Sequence, residues 1–276
     1  MKTAVLPRDS QHGRTEDKSI VESLSAVSGL DLHLDRDQLL LQFGPGLVYP
    51  AREVRHLDDI RSMIEDSVSP GPDPLYAIYM DVYRKEDGPI LRDQGLLYGS
   101  VLYNRGTMGR EYVRSQGHLH SRAGGTGPRY SEVFEFWSGH GFLYLQREAE
   151  PEVKRVLLVP VGPGDRVVLP CGWVHLVITT GKDVLAFGAW CARDNTFEYD
   201  ALRALGGAAY FFHTDGSAVP NPRYRSVAPL EIVPPDTLPD LGIPRNRPLY
   251  MSWREHPSVF AFMAHPELAR DAWRNL

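Results

Sequence analysis

Cysteine is almost missing from this chain. Only Cys171 and Cys191 occur, twenty positions apart and neither in a CxxC pair, so neither a disulfide framework nor a thiolate metal cluster organises the fold. Both are read as reduced, packed side chains. Long apolar runs are missing as well. No stretch approaches the roughly 18 apolar residues of a membrane span, and Met1 to Asp35 holds no secretory apolar core. The expectation is a soluble, cytoplasmic protein. Lys and Arg never run longer than two in a row and the net charge is −5, which argues against a nucleic-acid or membrane-surface partner. A small-molecule substrate is the partner that fits.

Apolar material is ample, at 42% of 276 residues, enough for one large domain or a core domain with extensions. Three stretches differ in character. Residues 1–51 read as an N-terminal arm, charged and poorly patterned to about Asp35, mobile, with one short helix near Val21 to Val27. Residues 52–219 read as the body. There Val54, Leu57, Ile60 and Ile64 recur at three to four positions and predict a leading amphipathic helix, broken by Ser69-Pro-Gly-Pro-Asp-Pro74. The period then changes. Leu75 to Val82, Leu96 to Tyr103, Glu132 to Trp137, Phe142 to Gln146, Val153 to Val161, Arg166 to Leu169, Val174 to Thr179, Val184 to Ala192 and Ala208 to His213 read as short strands separated by turn residues. Such spacing predicts an all-β sandwich or barrel. In residues 220–276, eight prolines between Pro220 and Pro248 predict an extended arm without regular structure that wraps the core, followed by one or two short helices from Pro257.

The chemistry gathers in the body. His118-Leu119-His120 lies in strand-like sequence, where alternation sends both imidazoles to one face to share one ion. Glu132-Val-Phe-Glu135 offers two carboxylates that period two places on opposite faces, so only one of them can join the histidines. Gly164-x5-Pro170-x-Gly172-x2-His175 ends one strand at a Pro/Gly turn and presents a histidine from the next, and Glu132-x6-Gly139 has the spacing of a hairpin. These are the two signature motifs of the cupin superfamily, which the chain resembles. The resemblance implies a double-stranded β-helix, or jelly-roll barrel, holding one divalent ion by His118, His120, Glu132 and His175. That ligand set would leave one or two positions open and suits Fe(II) first, with Mn(II), Ni(II) or Zn(II) also compatible. His33, His56, His140, His213, His256 and His265 are read as structural. Eleven residues separate His120 from Glu132, where the superfamily has three or four, so Gly124 to Pro128 reads as a loop insertion. Thr179 stands where the second motif usually has Asn.

A longer stretch, residues 52 to 225, resembles one branch, the cupin-type glucose-6-phosphate isomerases. Gly99 to His120, Glu132-Val-Phe, Ser138-Gly-His-Gly and Leu169-Pro-Cys-Gly-Trp-Val-His175 carry the likeness, with Glu198-Tyr199, Asp215-Gly216 and Asn221-Pro222-Arg-Tyr224 beyond them. It implies interconversion of an aldose and a ketose through an enediol, with Glu132 and Tyr199 as catalytic candidates. Three positions depart from the family. Arg114 stands for a phosphate-binding Thr, Phe134 for Tyr, and Thr-Phe197-Glu-Tyr199 for Gly-His-Asp-Tyr. Counting by two from His118 points Gln116, Arg114 and Tyr112 inward as substrate-binding residues beside Phe134, and Arg129 and Tyr130 fall in the insertion as a lid. The leading expectation is a metal-dependent isomerase of a sugar or sugar phosphate. The alternative is an Fe(II)-dependent dioxygenase of a small, less polar substrate, and a non-enzymatic sugar-binding cupin comes third. Because cupins pair through strands and arms, a homodimer is expected.

Overall fold

The computed structural model describes residues 21–273. The β-branched and aromatic runs pair into two facing sheets. One has six antiparallel strands in the order Arg166–Leu169, Glu132–Ser138, Leu185–Ala192, Leu96–Tyr103, Tyr76–Met80 and Glu53–Arg55. The other has four, in the order Val174–Thr179, Gly141–Gln146, Val156–Val161 and Leu230–Ile232. Alternate side chains of both sheets fill the space between them, among them Phe134, Phe136, Leu143, Leu145, Val159, Val177 and Phe187. Each buried aliphatic or aromatic side chain there contributes roughly 1.5–3 kcal/mol. The result is the all-β jelly-roll barrel of the cupin type. The motif glycine Gly139 has a steric cause. It turns the hairpin between the Glu132–Ser138 and Gly141–Gln146 strands at φ +72°, and a Cβ there would stand 2.4 Å from the Val184 carbonyl oxygen.

Several expectations need correcting. The leading helix over Val54 to Ile64 is shorter than its periodicity. Glu53–Arg55 is an edge strand in which Val54 pairs with Ala77, and helix begins only at Leu57–Ile60, continuing as a 3-10 turn Arg61–Met63. Asp59 Oδ2 accepts from the His56 amide at 2.8 Å and sets that start. The mobile arm expected up to Asp35 is, from Val21 onward, part of a packed three-stranded sheet of Val21–Ser23, Leu32–Asp35 and Leu40–Phe43. Its Leu24, Leu30, Leu32, Leu34 and Leu41 are buried. The short helix is Ser25–Ser28; residues 1–20 lie outside the described residues. The proline-rich stretch does contain regular structure. Ser226–Val227 and Leu230–Ile232 add parallel strands to Glu152–Val153 and Val156–Val161, so this segment hugs its own barrel. The C-terminal helices start earlier than expected, at Leu249–Glu255. Among the described residues no helix is long and apolar enough to cross a membrane.

Both ends of the described chain cover the outer face of the six-stranded sheet. Tyr98, Trp137 and Trp190 point outward there and pack against Tyr250, Trp253, Phe260 and Trp273. A buried ion pair pins this coat. Arg166 Nε and Nη2 reach Glu135 Oε1 at 2.8 and 2.6 Å, and the Leu249 amide donates to both Glu135 oxygens at 3.0 Å. Arg166 also donates to the carbonyls of Pro244 and Arg247. Removing the arginine leaves a buried carboxylate without its partner. Arg166→Met is therefore expected to cost about 3–5 kcal/mol, read as a lower midpoint in urea unfolding. A loss below about 1 kcal/mol would mean that the pair does not anchor the coat.

Candidate metal centre

The centre begins with a backbone pairing. The His118 amide donates to the His175 carbonyl at 3.2 Å and the His175 amide to the His118 carbonyl at 3.1 Å. Residues that exchange both bonds stand directly opposite each other, so their side chains leave on the same face. The two imidazole centroids are 4.3 Å apart. His120 follows two positions after His118, its ring 5.2 Å from that of His118 and 4.8 Å from that of His175. Its Nδ1 lies 3.2 Å from the Tyr130 carbonyl oxygen, which can only accept, so the proton sits on Nδ1 and Nε2 offers its lone pair inward. Glu132 completes the group from the facing sheet. Its Oε2 is 3.3 Å from both His120 Nε2 and His175 Nε2.

One ligand atom from each of the four residues falls within 4.8 Å of all the others. A metal at about 2.0–2.2 Å from each donor allows at most about 4.4 Å between donors, so the cluster has to tighten by a few tenths of an ångström around one ion. The donors also behave as ligands without a partner of their own. Nε2 of His118, His120 and His175 is buried with no hydrogen bond among the described residues, a costly arrangement unless a cation accepts the lone pairs. Burial first, and the neighbouring imidazoles second, push His118 well below the usual histidine range. Burial likewise lowers His175. Burial alone would raise Glu132, but the approach of His120 and His175 outweighs it and holds the carboxyl down at about 2. Neutral His118 and His175 beside an anionic carboxylate are in the protonation states a divalent ion requires. Glu135 faces the opposite way, as strand parity predicts.

His118, Glu132 and His175, with His120 behind them, form part of the wall of a cavity with about 720 Å³ of space between its sides, open mouth included. Gln116, Phe134 and Tyr199 line it, as expected; Tyr112 and Arg114 do not. A bulge is the reason. Arg114 pairs with Ile178 but His118 with His175, so four steps on one side match three on the other, and Gly117 takes up the extra residue at φ +81°. That slip turns Arg114 and Tyr112 away from the cavity and brings Ser115 to face it. Arg114 is instead sealed in the wall. It donates to Glu111 Oε2 at 3.2 Å, to the Ser115 carbonyl at 3.1 Å and to the Met63 carbonyl at 2.5 Å.

The inserted loop does not lie over the cavity either. Arg129 donates to the His120 carbonyl and, at 2.7 Å, to Glu198, while Ser121 and Thr196 exchange bonds of 2.9 and 3.0 Å. The loop thus ties His120 to the Phe197–Glu198 strand. The Phe197 ring rests 4.3 Å from that of His118. Residues that sequence reasoning passed over include Arg55, Tyr76, Tyr103 and Phe187, all in the cavity wall. Burial raises the phenols of Tyr76 and Tyr199, so both hydroxyls keep their protons at neutral pH.

A family model described as glucose-6-phosphate isomerase (GPI) matches residues 57–228. The glucose-6-phosphate isomerase of Thermococcus kodakarensis is 26% identical over 206 residues, covering 71% of this chain and 96% of its own length. That of Pyrococcus abyssi is 26% identical over 195 residues, covering 67% and 95%. Among solved structures, vicilin from Corylus avellana aligns with 15% identity and a TM-score of 0.34 over 47% of this chain and 33% of its own. The family match begins at the helix after the edge strand and runs through all four clustered residues to the segment that hugs the barrel, and the chain therefore belongs to the cupin-type glucose-6-phosphate isomerase family.

Proposed function

We propose that this chain is a metal-dependent aldose–ketose isomerase of a sugar or sugar phosphate, with glucose 6-phosphate as the first substrate to try. The observation that carries the reading is the convergence of His118, His120, Glu132 and His175, three of which line a cavity, in a chain of this family. The ion is divalent, Fe(II) first among Fe(II), Mn(II), Ni(II) and Zn(II), since three imidazoles and a carboxylate suit all four. When bound, it supplies Lewis acidity to the oxygens on the first two carbons of an open-chain sugar.

The chain's own residues bind, orient and shield the substrate. Isomerisation takes a hydrogen from C2 and from its hydroxyl and returns one each to C1 and its oxygen. Tyr199, kept protonated by burial, holds a proton at its Oη for a substrate oxygen, and Gln116 beside it orients a neighbouring hydroxyl. Glu132, held at about 2, is a weak base, so its part is to hold the ion and balance its charge. Phe134, Phe187 and Phe197 keep water from the reacting carbons. The same apolar rings favour the second reading, an Fe(II) dioxygenase of a less polar substrate, which oxygen uptake by the iron-loaded protein distinguishes.

Two outcomes are expected. Glu132→Gln and His120→Ala each lower metal content measured by elemental analysis after dialysis, with affinity falling at least tenfold and aldose–ketose exchange lost with it; full metal retention in both variants would defeat the ligand assignment. Tyr199→Phe binds metal as the wild type does but lowers kcat about 100-fold, and a wild-type kcat would remove Tyr199 from the reaction. Failure of the metal-loaded wild type to exchange any hexose or pentose, free or phosphorylated, would defeat the isomerase reading itself.

A further inference from the structure

We propose that Arg129, in the insertion between His120 and Glu132, is the positioning residue for His120, the member of the cluster that the barrel itself holds least firmly. The inference rests on the metal reading of the cluster. Three members stand on well-fixed backbone. His118 and His175 exchange both amide bonds, and Glu132 lies inside a sheet, paired with Leu169 on one side and Cys191 on the other. His120 sits in a ladder of two residue pairs, Leu119 with Glu198 and His120 with Phe197. A two-stranded pairing of that length is not stable on its own. Because the donors must close by a few tenths of an ångström to share one ion, the least fixed of them decides whether they do.

The insertion supplies the missing hold. It folds back on itself as a closed turn: the Ala123 amide donates to the Pro128 carbonyl at 3.0 Å and the Gly127 amide to the Ala123 carbonyl at 2.8 Å, with Gly124 and Gly125 at φ +56° and +80°. That turn delivers Arg129 and Tyr130 to His120. Arg129 Nη1 donates to the His120 carbonyl and, at 2.7 Å, to Glu198 Oε2. The Tyr130 amide donates to the Ser121 carbonyl at 3.1 Å, and the Tyr130 carbonyl accepts from His120 Nδ1 at 3.2 Å. Adjacent residues thus grip one histidine at its backbone and at its ring, and the bond to Glu198 fixes the opposite strand of the ladder as well. The Arg129 side chain is 18% exposed, so its bonds are largely shielded from water, where a charge-assisted contact counts for more than at a surface. The insertion that sequence reasoning reads as a lid is in this account a clamp on a ligand.

The test uses the full chain stripped of metal and titrated with Co(II), whose visible absorption reports ligand geometry, in competition with a chelator. Arg129→Met is expected to lower Co(II) affinity about 10- to 100-fold, the usual cost of disturbing a group that orients a metal-binding imidazole, and to alter the visible spectrum. Arg129→Lys, whose shorter ammonium keeps the charge beside both acceptors, is expected to fall between that variant and the wild type. Thr126→Ala, at the exposed tip of the same loop, is expected to match the wild type. A wild-type Co(II) spectrum in Arg129→Met overturns the proposal whatever the affinity, since a residue that merely stabilises the fold lowers the urea midpoint of the metal-free chain and leaves the coordination unchanged. Failure of the metal reading shows separately. If the wild type takes up no Co(II), that reading falls, and the metal-free chain decides on Arg129 through nitrogen NMR of its imidazoles: a His120 proton held on Nδ1 in the wild type but divided between both nitrogens in Arg129→Met supports the clamp, and the same tautomer in both overturns it.

Discussion

The reciprocal backbone bonds between His118 and His175 fix more of this molecule than any side-chain contact does. They join a short, irregular segment to the Val174–Thr179 strand across more than fifty residues of chain, and in doing so they put two imidazoles on one face. His120 then needs only the strand step and the Tyr130 carbonyl to aim its Nε2 at the same point. Glu132 arrives from the other sheet because the barrel closes there. A one-residue change in that pairing would send both histidines into the wall, as the bulge just before it does to Arg114.

Assembling the cluster works against stability while its imidazoles are unpaired. Four imidazole nitrogens, Nε2 of His118, His120 and His175 and Nδ1 of His175, are buried without hydrogen-bond partners among the described residues. Each such group costs about 1–3 kcal/mol when nothing replaces its water. Burial meanwhile keeps His118 and His175 uncharged, so their lone pairs stay available to a metal. The surrounding core must carry that burden, and the aromatic layer outside the six-stranded sheet helps to carry it.

Much of the barrel was legible in the sequence for a simple physical reason: its strands are short, β-branched and bounded by turn residues. The strands Leu96–Tyr103, Arg166–Leu169 and Val174–Thr179 fall where periodicity places them. Parity alone separates Glu132 from Glu135. The failures are equally physical. Val54, Leu57, Ile60 and Ile64 fit a helical stripe, but a strand residue and a short helix can share that spacing by accident, and the false stripe concealed Arg55. Counting by two from His118 fails at Gly117, since a bulge adds a residue that no composition rule announces. The leucines of the N-terminal sheet were passed over because strands of three and four residues give too short a pattern. The Tyr130 carbonyl that sets the His120 tautomer is backbone, which a sequence does not display as a motif.

The two glutamates of one strand show how the outer coat and the inner site depend on each other. Glu132 and Glu135 are three positions apart, and alternation sends one to each side of the same sheet. Inside, imidazoles hold Glu132 at about 2. Outside, burial outweighs the Arg166 pair and leaves Glu135 raised. Glu135 is nonetheless the post on which the C-terminal segment hangs, through Arg166 and the Leu249 amide. A strand fixed by its outward carboxylate has little freedom to move its inward one, and metal geometry tolerates errors of only a few tenths of an ångström. The covering of the six-stranded sheet by both ends of the described chain therefore serves the cluster as well as the core: it immobilises the strand that carries Glu132, the one member of the cluster that is not a histidine.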